Sequence, residues 1–190
     1  TTSTEHDRPD PRPILDRAIA TGGAVIAGVR PDQLTAPTPC PEMDVRTMLG
    51  HLVGVLDRIA ALGNDADPFS VTETDRPEGD QRRQELIDDV AELRRRELDE
   101  LPPDLAGRVQ SLQNYEFMDD AARERSMALP WIQGSGAEVL TSYFSELTVH
   151  TWDLATATGQ QPRWDDAVVT AALDARQILQ DLPEIVRRLG

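Results

Sequence analysis

The sequence predicts an all-α chain: a four-helix bundle with a long crossover connection and an extra helix towards the C-terminus. Three observations predict it. Apolar residues recur at three-and-four spacing through most of the 190 residues, the period of a helix with one buried face. Prolines and capping residues fall between those stretches, where helices start and stop. One interval, 104–134, is too long and too weakly patterned to be a simple turn, so at least one connection crosses over.

Taken in order, residues 1–10 read as a flexible N-terminal arm and 11–190 as one helical domain, a size that suits a single core. Ile14, Leu15, Ala18, Ile19, Val25, Ile26 and Val29 place a first helix over about 11–30, with Gly22 and Gly23 weakening its middle. Pro37, Pro39 and Pro41 make a stiff extended loop, because each proline drives its predecessor out of the helical region. Asp44 then serves as N-cap for a second helix whose core face is Val45, Met48, Leu49, Leu52, Leu56 and Ile59. It ends near Gly63 and Asn64. The stretch 64–80 is polar and turn-rich. A third helix, about 81–100, carries Leu86, Val90, Leu93 and Leu98 and stops before Pro102 and Pro103. Residues 104–134 hold a short strand pair or an irregular crossover. Ser135 and Glu138 have capping-box spacing and open a fourth helix that runs to about Thr158 and stops at Gly159. Trp164 and Asp165 open a fifth, about 166–180, and Pro183 begins a last short turn.

Composition narrows the function. The net charge is −15, and no basic patch is interleaved with aromatics, which argues against nucleic acid and anionic membranes as partners. No apolar run is long enough to span a bilayer. The first residues lack the basic start and apolar core of a signal peptide. With a single cysteine, Cys40, this favours a cytoplasmic location. Cys40 itself reads as a small packed residue at a loop–helix junction. All 19 basic residues are arginine, a mark of a GC-rich genome. A homodimer is an admissible assembly.

The chemistry concentrates on two of the three histidines; His6 lies in the arm. His150 follows Glu146 by four residues, so both project from one side of a helix about a turn apart. Val139, Leu140, Tyr143, Leu147 and Leu154 span a 100° apolar arc; His150 falls inside it and Glu146 just outside. His51 lies at the edge of the apolar stripe of the second helix. One carboxylate and two imidazoles suit Zn²⁺ or another divalent first-row metal. By spacing alone, an E-x-x-x-H pair is usually a surface salt bridge or a satisfied pair. Asp153, three residues beyond His150, reads as a helix-surface residue, a group orienting His150, or one that approaches the metal. Trp152 and Tyr143 read as core or pocket wall, and Trp131 as lining the mouth.

The segment LTAPTPCPEMDVRTMLGHLVGVLDRIA, followed by LPWIQGSGAEVLTSYFSELTVHTWDLATATGQ, resembles the mycothiol-dependent maleylpyruvate isomerase and DinB-like superfamily, especially its short single-domain actinobacterial members. The resemblance implies a DinB-like four-helix bundle holding a divalent metal through His51, Glu146 and His150, with Zn²⁺ favoured and Ni²⁺ or Fe²⁺ as alternatives. It implies mycothiol as co-substrate and a small electrophile as its acceptor, in thiol transfer or in reversible addition that lets a double bond rotate. An aromatic is expected where Met43 stands. The other reading is a non-catalytic metal-binding bundle that senses or carries a small ligand or binds a partner.

Overall fold

The first helix, α1 (Arg12–Ala27), starts beside Pro11 and Pro13, whose fixed backbone suits a first turn. In the computed structural model, which describes residues 10–63, 119–129 and 132–180, it is followed by a 3-10 turn (Pro31–Gln33) and then α2 (Val45–Gly63). A short helix α3 (Asp120–Glu124) leads into a hairpin of β1 (Ser126–Ala128) and β2 (Gln133–Ser135). Two longer helices follow, α4 (Gly136–Thr158) and α5 (Asp166–Gln180). Among the described residues the fold is therefore all-α apart from that one hairpin, as the periodicity implies. The helix expected over 81–100, the loop before it, the final turn at Pro183 and the arm with His6 lie outside the described residues.

The capping chemistry falls where the sequence puts it. Asp44 Oδ1 accepts from the Thr47 amide at 2.8 Å, and Asp165 Oδ1 from the amides of Ala167 and Val168. Ser135 and Glu138 form both halves of the capping box. Each bond satisfies an amide that a helix start otherwise leaves orphaned. Gly159 ends α4 in the left-handed region at φ 68°. The proline-rich loop is less extended than expected. Pro37 bridges Asp44, and the Met43 amide bonds back to the Cys40 carbonyl at 3.1 Å. Thr38 Oγ1 holds this turn shut by donating to the Met43 carbonyl at 2.7 Å.

α4 is the hub. It packs against α5, α2 and α1, and the hairpin closes over its N-terminus. Its burial consequently extends well past the 100° arc read from sequence. Ser142, Ser145, Thr148 and Thr151 are buried together with Val139, Leu140, Phe144, Leu147 and Leu154. Ser142 tolerates this by donating to the Val139 carbonyl, and Thr158 by donating to that of Leu154, so these hydroxyls need no water. Gly22 has a use that the sequence reading missed. A Cβ there would come within 3.1 Å of Thr151 Oγ1, so the bare backbone lets α1 lie close on α4.

Polar ties hold the periphery. Arg125 donates to the Leu62 carbonyl at the end of α2. Gln33 and Gln160 tie the α4 C-terminus to the 3-10 turn and to Val25 of α1. Arg12 bridges Asp10 and Asp120. Its hydrogen bond to Asp10 outweighs the effect of burial and holds that carboxyl below its ordinary value of 3.8. This contribution to stability is present above the ordinary value and lost as pH falls through the depressed one.

A specific cost follows at Gly136, the first residue of α4. A Cβ there would overlap the backbone carbonyl oxygen of Ala122, which cannot swing aside as a side chain can. Gly136→Ala is expected to destabilise by about 1–3 kcal/mol, the usual cost of overpacking. Denaturant unfolding of Gly136→Ala beside Gly22→Ala checks this. The Gly22 variant meets only a side chain and gains helix propensity, so it should be the milder of the two; the reverse order would refute the packing argument.

Candidate metal centre

His51, Glu146 and His150 come together between α2 and α4. Each offers one donor atom, and these atoms all lie within 4.8 Å of one another. His51 Nε2 is 2.6 Å from Glu146 Oε1, and His150 Nε2 is 3.7 Å from the same oxygen. The two imidazole rings stand edge to face, 4.9 Å between centroids and 87° between planes. The sequence explains the placement. On α4 the i, i+4 spacing stacks Glu146 and His150 on one side, and α2 packs there with His51 facing across.

The surroundings are dry. His51 is 2% exposed and His150 9%, whereas 18% of the Glu146 side chain remains accessible, so the group meets solvent on the Glu146 side. A carboxylate oxygen accepts hydrogen bonds, and at 2.6 Å it shares a proton with His51 Nε2. A divalent ion among the three donors would take that proton's place, the exchange that accompanies metal binding to nitrogen ligands. The donor set fits such an ion. Two imidazoles and a carboxylate each sit about 2.0–2.2 Å from a bound Zn²⁺, so the spread of these atoms is closed by small side-chain adjustments. Among the described residues no other His, Cys, Asp or Glu joins the group.

The structure decides what the spacing leaves open at Asp153. It is 5% exposed, and its Oδ2 lies 3.0 Å from His150 Nδ1. The helix-surface reading is therefore wrong: Asp153 sits behind the His150 ring, on the nitrogen opposite the one that faces Glu146. It does not share the cluster of donor atoms. Tyr143 is buried as expected, but Trp152 is 50% exposed on the outer side of α4 and lines no core. Met43 is packed in the core. Cys40 is a half-buried free thiol against the core, as its junction position suggests. Trp131 lies outside the described residues.

One charged residue escapes the sequence reading. Arg58 is buried and follows His51 by two helical turns, on the same face of α2. The signal was available as the seven-residue spacing from His51 to Arg58.

Two uncharacterized proteins from different strains of Mycobacterium tuberculosis are each 26% identical over 170 residues, covering 90% of this chain and 79% of the relative. No solved structure matches. Among the described residues, no helix is long and apolar enough to cross a membrane. The description "Mycothiol maleylpyruvate isomerase N-terminal domain" matches residues 15–155, a span that includes His51, Glu146, His150 and Asp153. That match covers α2 and α4 as far as Ala155, and the chain belongs to the mycothiol maleylpyruvate isomerase N-terminal domain family.

Proposed function

We propose that this chain binds a divalent metal, Zn²⁺ foremost, through His51, Glu146 and His150, and uses it to present the thiol of mycothiol to a small electrophile. The observation that carries this reading is the convergence of two buried imidazoles and a partly accessible carboxylate from two helices, their donor atoms within 4.8 Å of one another, in a chain of a mycothiol-related family. Three protein ligands leave a coordination position open, the pattern of catalytic and not structural zinc sites. A bound Zn²⁺ would supply a thiolate at neutral pH by lowering the thiol's pKa.

The chain's own residues do the rest. His51 and His150 offer buried nitrogen donors, where electrostatic interactions are stronger than in water. Glu146 contributes the negative charge that offsets the ion and marks the solvent-facing side by which a thiol would enter. The thiolate would form a carbon–sulfur bond to an electrophilic carbon: transfer is complete when a leaving group departs with the displaced electron pair or solvent protonates the neighbouring carbon, and isomerisation when the former double bond rotates and the thiolate leaves again, restoring it.

Cobalt substitution tests the reading. Adding mycothiol to the Co²⁺-loaded protein is expected to produce a strong sulfur-to-metal charge-transfer band in the near ultraviolet. The His51→Ala protein should not show it. A cobalt spectrum unchanged by saturating mycothiol would overturn the thiol-presenting function. The metal would then serve a non-catalytic carrier or sensor.

A further inference from the structure

We propose that Asp153 is a positioning residue: it selects the His150 tautomer whose Nε2 lone pair faces the Glu146–His51 cluster. The inference rests on the metal reading above for its consequence, but its geometry stands by itself. Asp153 Oδ2 lies 3.0 Å from His150 Nδ1, and both side chains are buried, at 7% and 11% accessible. A carboxylate accepts, so the shared proton belongs on Nδ1. The other ring nitrogen agrees. His150 Nε2 is 3.7 Å from Glu146 Oε1, too far for the hydrogen bond that an Nε2–H would be expected to make with a carboxylate. His51 Nε2, by contrast, is in hydrogen-bond contact with that same oxygen at 2.6 Å.

Free histidine favours the opposite tautomer, with its proton on Nε2, in which the nitrogen that faces the cluster could not bind a metal. Asp153 reverses the preference and fixes the ring's rotation. It also raises the donor strength of the imidazole through its negative charge. The i, i+3 placement on α4 gives this at no cost in chain flexibility, since one rigid helix carries both groups. Asp153 touches neither substrate nor metal; it acts through His150.

The chain has three histidines, so the ring nitrogens are separable by long-range proton–nitrogen correlation on histidine-labelled protein, with His150→Gln identifying the signal. At mildly alkaline pH, before any metal is added, His150 is expected to carry its proton on Nδ1. In Asp153→Ala it should move to Nε2, and the dissociation constant for Co²⁺ should rise about 10–100-fold, the usual effect of losing an outer partner of a metal-binding histidine. Asp153→Asn, whose amide oxygen can still accept from Nδ1, should fall between. An Nε2–H tautomer in the wild type would overturn the proposal, as would an Asp153→Ala protein that keeps both tautomer and affinity. If Asp153→Ala does not fold, the wild-type tautomer and the Asp153→Asn affinity decide. A wild type that binds no Co²⁺ would refute the metal reading, while the tautomer shift would still show what Asp153 does.

Discussion

Replacing His51 or His150 with alanine should reduce bound metal from close to one ion per chain to almost none. Each histidine supplies one of the three donors found among the described residues, so the loss should exceed the roughly 10–100-fold weakening expected for an outer partner. Elemental analysis of the purified proteins reads it directly. His6→Ala is the control and should keep full occupancy, since neither the E-x-x-x-H spacing nor the cluster of donor atoms includes His6. Both variants should remain helical, because the core of Leu49, Leu52, Leu56, Leu140 and Leu147 does not depend on the ion. Full occupancy in either variant would remove that residue from the ligand set.

The second large effect concerns the hub. Leu154 is fully buried on α4, the helix on which α1, α2 and α5 all converge. Leu154→Ala is expected to cost about 2–5 kcal/mol, combining lost transfer energy with the cavity left behind. In a chain of this size each kcal/mol lowers the melting temperature by roughly 2–4 °C. Calorimetry on this variant beside Leu173→Ala makes the comparison clean. Leu173 is 63% exposed, so its truncation should fall within ~0.5 kcal/mol of wild type. Equal losses at the two positions would contradict the assignment of α4 as the centre of the core.

Where the sequence was legible, local chemistry and global packing agreed. Asp44, Ser135, Gly159 and Asp165 mark helix ends by side-chain or backbone chemistry that needs no tertiary context, and each sits at its expected boundary. The two donors on α4 were readable from a four-residue spacing. What periodicity could not show was how many neighbours α4 has. A helix flanked on one side buries one stripe, but a helix at the hub also buries its serines and threonines, which look like a solvent face in sequence. The same blindness left Asp153 undecided: three residues from His150, it could as well have faced water. Trp152 fails in the opposite direction, a large apolar side chain that its position on α4 leaves half exposed. Gly22 and Gly23 read as weak points because helix propensity is local, whereas the close approach to Thr151 is not. The hairpin at 126–135 was one of two alternatives, since strands of three residues are too short to show a period of two.

The position of α4 also bears on motion. A helix packed against three others and closed at its N-terminus by a hairpin has few ways to open short of unfolding the whole bundle, which puts its amides at the slow end of exchange. Glu146, His150 and Asp153 share that one helix, so its backbone fixes their spacing. His51 is delivered by a different helix. The three donors therefore keep their spacing only while α2 stays seated on α4.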